Sequence, residues 1–132
     1  MIKIPQEIVD QILVQARAEA PVEACGYLGG KDGIVSKRYE MYNIDQSTEH
    51  FSFAPKDQFK IVKEARVDGL DLIAVYHSHP ETPARPSVED IKLAYDPSIS
   101  YVIASLHDGG EDVKSFKIKD GNVDKEDLQI IS

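Results

Sequence analysis

The sequence predicts a mixed α/β fold, with one central, partly antiparallel sheet flanked by helices. Three observations carry this. An opening segment repeats its apolar residues with a period of about 3.6 between two prolines. Residues 72–76 and 101–106 are apolar without alternation, as strands covered on both faces are. Elsewhere, β-rich runs are separated by glycine and Asp-Gly turns. The chain has 132 residues, 42% hydrophobic and 29% charged, the size and balance of a single domain over residues 1–132.

Each element has its own signal. Pro5 suits a first helical turn; Ile8, Ile12 and Ala16, with Val9, Leu13 and Ala20, form the apolar stripe, and Pro21 stops it. Residues 24–29 are short, apolar and glycine-punctuated. The turn Lys31-Asp32-Gly33 leads from them into a β-rich run over 34–44, so the two form a hairpin. Phe51-Ser52-Phe53 alternates like a strand edge. Pro55 opens a second helix carrying Phe59, Val62 and Ala65, stopped by Gly69. After the buried run 72–76, Ser87 starts a third helix reaching about residue 95. Residues 113–119 and 123–131 read as weaker edge strands around Asp120-Gly121. The expected order is α, β, β, α, β, α, β, β, β.

Charge and composition exclude several function classes. Fifteen Lys and Arg against 23 Asp and Glu give a net charge of −8, which disfavours nucleic acid and anionic membranes, since phosphate binding relies on clustered cations. No window approaches the ~20 apolar residues of a membrane span, and acids interrupt the N-terminal apolar stretch, unlike a signal peptide. The single cysteine, Cys25, has no internal disulfide partner and fits a reducing, cytoplasmic setting. Flanked by Ala24 and Gly26, it reads as a small buried hydrophobe. A zinc nucleoside deaminase is excluded because it needs a Pro-Cys-x-x-Cys pair.

The segment with chemistry follows the most buried strand: His77-Ser78-His79-Pro80-Glu81-Thr82-Pro83-Ala84-Arg85-Pro86-Ser87-Val88-Glu89-Asp90. Residues two apart in a strand share a face, so His77 and His79 project together and Ser78 faces away. Asp90 lies on the first turn of the next helix, and Pro80, Pro83 and Pro86 restrict how that helix returns toward the strand end. Two imidazoles and a carboxylate leave tetrahedral zinc one open position, which separates catalytic from structural zinc. Glu23, directly after Pro21 and at the mouth of the 24–29 strand, is the best-placed proton carrier. Ser87-Val88-Glu89-Asp90 equally fits a helix start in which serine and acid only cap the backbone. His50 and His107 lack metal spacing and read as surface or turn residues.

These residues resemble the JAMM (MPN+, Mov34/PAD-1-like) metalloprotease motif: a glutamate, then His-x-His-Pro, six residues, Ser, two residues and Asp, with every position filled. The resemblance covers the segment order of nearly the whole chain and implies a JAMM/cytidine-deaminase-like fold. It implies Zn²⁺ held by His77, His79 and Asp90, Glu23 as general acid/base, and Ser87 stabilising the tetrahedral intermediate. The short chain resembles the stand-alone prokaryotic members. By that resemblance it is a peptidase or isopeptidase that cleaves after the C-terminal tail of a ubiquitin-like or sulfur-carrier β-grasp protein, releasing cysteine or trailing residues. Two other readings stand beside it: a non-haem Fe(II) oxygenase, which also uses two histidines and a carboxylate, and a non-catalytic MPN-type interaction module. The sequence assigns no role to Asn43.

Overall fold

A computed structural model describes residues 1–132. Helix α1 (Gln6–Glu19) buries Ile8, Val9, Ile12, Leu13 and Ala16 along one stripe, as the periodicity predicts. A strand that the periodicity does not reveal, β1 (Ile2–Pro5), precedes it. It is four residues long, with Ile2 and Ile4 buried and Lys3 turned outward. Its partners lie far away in sequence, and an alternation of only Ile2, Lys3 and Ile4 is too short to mark a strand by itself.

The hairpin forms as expected from β2 (Cys25–Lys31) and β3 (Ile34–Met41). Asp32 and Gly33 take φ of 52° and 77° in its two-residue turn, the left-handed geometry for which Asp-Gly is suited. Next come α2 (Pro55–Val67), β4 (Asp71–His79), α3 (Val88–Lys92), β5 (Ser100–Ser105), β6 (Asp112–Lys119), β7 (Asn122–Glu126) and β8 (Leu128–Ile131). All eight strands join one mixed sheet in the order β7-β6-β5-β4-β2-β3-β1-β8. No helix is long and apolar enough to cross a membrane.

Four local expectations need correction. Residues 51–53 are not a strand: Phe51 and Phe53 are half-buried loop side chains that pack on the cluster of Cys25, Tyr39, Met41, Ile61 and Ala65. Helix α3 ends at Lys92 rather than near 95, and the chain beyond is pinned because the Tyr101 hydroxyl donates to the Asp96 carbonyl at 2.8 Å. Strand β6 is interior, between β5 and β7. Residues 123–131 divide at Asp127, whose carbonyl accepts the Ile2 N–H at 2.9 Å, so β7 pairs with β6 while β8 pairs with β1. The two ends of the sheet are therefore consecutive in the chain.

The sheet has a different core on each face. On the α1 side, Ala74 and Tyr76 of β4 join Ile2, Ile4, Leu28, Val102 and Ala104. The Tyr76 hydroxyl donates to Gln15 Oε1 at 2.5 Å, Arg38 donates to the same oxygen at 2.9 Å, and Gln15 Nε2 donates to the Cys25 carbonyl at 3.1 Å. On the other side the core is split between the Cys25–Ile61 group and a second group of Ala84, Ile103, Phe116 and Ile118.

Candidate functional site

Strand β4 stays buried from Ala74 to His79, so the apolar run 72–76 carries the two histidines into the interior of the sheet. Its neighbours are β2 and β5, which makes it a central strand, as the unalternating sequence implies. His77 and His79 do share a face: their Nε2 atoms lie 3.1 Å apart. Asp90 Oδ2 is 3.1 Å from His77 Nε2 and 3.0 Å from His79 Nε2. Ser78 faces away, accepting the Ala24 N–H on its hydroxyl at 2.8 Å and donating its own N–H to the Ala24 carbonyl at 2.9 Å. This latch ties the residue after Glu23 to the strand bearing both histidines.

The capping alternative for Ser87 and Asp90 is also realised. Ser87 Oγ accepts the Asp90 N–H at 3.0 Å, and Asp90 Oδ2 accepts the Ser87 N–H at 2.9 Å, a complete capping box. Capping and clustering are one arrangement, because the box fixes the carboxylate that faces the imidazoles. Burial alone would raise the Asp90 carboxyl, but hydrogen bonds to His77 and His79 outweigh it and hold the group well below the usual carboxylate range. Burial likewise opposes charge on His79, yet Asp90 and the Pro83 carbonyl leave its proton affinity raised.

The donor set suits a cation better than protons. The Pro83 carbonyl, 2.9 Å from His79 Nδ1, can only accept, so Nδ1 carries hydrogen and a neutral ring presents a bare Nε2 lone pair to the cluster. With hydrogen on Nδ1 of both rings, two Nε2 lone pairs and a carboxylate oxygen converge on one point, an array that a cation between them satisfies at once. The 3.0–3.1 Å spacings approach the ~3.3 Å separation of ligands around tetrahedral zinc with ~2.0 Å bonds. The three ligand atoms form the one group of metal-binding type in the chain.

Glu23 lies outside that group. It is 2% exposed, and its Oε1 is the single buried side-chain polar atom without a hydrogen-bond partner. Burial pushes its carboxyl up to about 8; the charge on His79 acts to lower it and that on Asp90 to raise it, which brings Glu23 within electrostatic reach of the cluster. An orphaned acid beside a donor set is a recurring mark of a reaction site.

Two residues at this site escaped the sequence reading. The Phe51 ring stacks on the His77 imidazole at 4.8 Å between centroids. Asn43, 0% exposed, donates from Nδ2 to the carbonyls of Glu23 and His50. A buried amide in a loop leaves no periodic signal, while the Phe51–Phe53 alternation points to a strand. The other candidates stay apart. Burial pushes the Cys25 thiol up to about 12, and it points at the Met41 carbonyl. His50 is paired with Asp45 and His107 with the Glu81 carbonyl.

Between the two core groups on this face lies a cleft of about 570 Å³ that reaches His77 and Asp90, walled by Tyr27, Phe51, Phe53 and Tyr101. It is predominantly apolar and open at one side, the form expected of a binding groove.

Comparisons with known proteins bear on the family and the fold. The family described as prokaryotic homologs of the JAB domain matches residues 5–119. The chain is 30% identical over 131 residues to the CysO-cysteine peptidase of Mycobacterium tuberculosis H37Rv, spanning 97% of this chain and 90% of that one. The solution structure of protein DSY2949 from Desulfitobacterium hafniense is similar at a TM-score of 0.90 and 45% identity, spanning 99% and 93%. The JAB1/MPN domain protein AF2198 of Archaeoglobus fulgidus shares the fold at a TM-score of 0.66 and 18% identity, spanning 100% and 98%.

Proposed function

The chain belongs to the prokaryotic JAB-domain family, and from that premise we propose that it is a zinc-dependent peptidase. Its substrate is a ubiquitin-like or sulfur-carrier β-grasp protein, cut after the C-terminal tail to release cysteine or trailing residues. The observation that carries this reading is the convergence of His77, His79 and Asp90 on one point with the unpartnered Glu23 carboxyl beside it. The similarity to a CysO-cysteine peptidase supports the substrate class.

His77, His79 and Asp90 would hold the zinc, which supplies Lewis-acid polarisation of the scissile carbonyl. Glu23 is kept protonatable near neutral pH by its burial, so its carboxylate can accept a proton from the attacking water and return it to the leaving amine. Ser87 accepts the Asp90 N–H on its oxygen, which leaves its own hydroxyl hydrogen to donate to the developing oxyanion. The apolar cleft receives the substrate tail and keeps water from it. A free acid outside the donor set suits proton transfer in hydrolysis, which favours a peptidase over an iron oxygenase. The complete donor set likewise distinguishes the chain from a non-catalytic interaction module. A cytoplasmic setting, acting as the single domain of residues 1–132, fits a chain whose one cysteine is a buried free thiol.

The test is turnover of a β-grasp carrier protein extended by cysteine or a short peptide beyond its Gly-Gly terminus. Release of the extension is expected, with loss on chelation and recovery on adding zinc. An intact carrier after prolonged incubation with zinc-loaded protein would overturn the reading.

A further inference from the structure

We infer that Asn43 is a positioning residue, its one buried amide setting both Glu23 and Phe51 against the His77, His79 and Asp90 cluster. The inference rests on the proposed hydrolysis with Glu23 as proton carrier. Asn43 lies two residues beyond the end of β3 and has no exposed surface. Its Nδ2 donates to the Glu23 carbonyl at 3.0 Å and to the His50 carbonyl at 3.1 Å. Its Oδ1 accepts the Asp45 N–H at 3.0 Å and, more weakly, the Ser52 N–H at 3.4 Å. Those four bonds use the full capacity of a primary amide, and they fix which end is nitrogen, since two carbonyls and two N–H groups admit no flip.

The partners make the arrangement more than a loop staple. Glu23 is gripped on both sides of its Cα: its carbonyl takes the Asn43 bond and its N–H donates to the Ser47 carbonyl at 2.9 Å, within the loop that Asn43 opens. His50 and Ser52 flank Phe51, so the same amide also fixes the backbone on each side of the ring that stacks on His77. The Ile44 N–H closes the loop onto the Ser52 carbonyl at 3.1 Å. Through one side chain, the proton carrier and the packing wall of a candidate ligand share a reference point. A shift of about 1 Å in a reacting group can cost ~10²-fold in rate.

A double-mutant cycle tests it. Asn43→Ala is measured alone and on a Glu23→Gln background, with kcat, KM and zinc content determined for each on the extended carrier. In the parent background Asn43→Ala should lower kcat by ~10–100-fold, with KM within about twofold and zinc retained. With the carboxylate already gone, the same substitution should cost less than ~3-fold, because the two residues act through one group. Equal losses in both backgrounds, or an unchanged kcat, would overturn the role. Should Asn43→Ala fail to fold, Asn43→Ser keeps one donor and undergoes the same cycle. If the parent does not cleave the carrier, or if Glu23→Gln turns over fully, the functional reading fails separately. The clamp is then judged by amide exchange at Glu23 and Ile44, expected to be at least ~10-fold faster in Asn43→Ala; unchanged protection would overturn it.

Discussion

Phe51 lies on His77 with its ring 28° from the imidazole plane and 4.8 Å from its centre. The two histidines are thus oriented by different means. His79 donates from Nδ1 to the Pro83 carbonyl, whereas the hydrogen bonds of His77 all come from Nε2 inside the cluster, leaving the Phe51 face to set its plane. Phe51→Ala should weaken metal affinity by ~10–100-fold, the usual effect of losing an orienting neighbour. Competition against a chelating dye measures it. Affinity within about twofold of the parent would show that the ring is not what orients His77.

Metal addition to chelated protein should raise the melting temperature. At a free zinc concentration ~100 times the Kd the gain is about 2.7 kcal/mol, or roughly 10 °C for a domain of this size. In His77→Ala and Asp90→Ala the increment should vanish, and calorimetry with and without zinc reads it. An undiminished increment in either variant would remove that residue from the metal site.

Glu23→Gln should lower the rate by ~10²–10⁴-fold, the usual worth of a positioned acid/base, while zinc content stays at the parent level. Turnover and metal analysis on the same preparations decide it. Full activity would send the proton transfer elsewhere.

Glu23 also makes a pH prediction for the metal-free chain. Its folded carboxyl, pushed by burial to about 8 against an ordinary 4.5, holds a proton that the unfolded chain has released. Its contribution to stability is therefore fully present below about pH 4.5 and is lost as pH rises toward 8. Chelated parent protein should lose more stability between pH ~5 and ~8.5 than chelated Glu23→Gln, as followed by denaturant unfolding. Identical pH slopes would mean that Glu23 ionises normally in the folded chain.

Gly26 sits beneath Tyr76. A Cβ there would meet the Tyr39 carbonyl at 2.4 Å and the Tyr76 hydroxyl at 2.5 Å. The first is sheet backbone and the second is bonded to Gln15, so neither yields easily. Gly26→Ala should destabilise by roughly 1–3 kcal/mol in urea unfolding, with activity per folded molecule little changed. A loss under ~0.5 kcal/mol would show that the phenol can move aside.

What could be read from sequence depended on how local its cause was. His77 and His79 were legible because strand alternation alone puts them on one face, and Asp90 because its spacing after the prolines is short. Glu23 was legible as a type of residue at a strand mouth, but its missing hydrogen-bond partner belongs to tertiary packing. Asn43 and Phe51 act through contacts that a linear pattern does not encode: one through backbone carbonyls at Glu23 and His50, the other through a ring face on β4. Strand β1 was missed for the same reason, as its pairing partner β8 lies more than a hundred residues away.

The break at Asp127 affects the order in which the molecule can be assembled. Residues 122–131 are nearly one extended stretch, yet its first half completes β6 and its second half completes β1, beside the buried Ile2 and Ile4. During synthesis β1 emerges first and must wait for Leu128–Ile131 before it gains its second neighbour. Long-range closure of this kind slows folding and leaves an unpaired strand exposed meanwhile. The amino group of Met1 lies 3.5 Å from Glu126, so the start of β1 and its outer edge are both held by residues that are synthesised more than a hundred positions later.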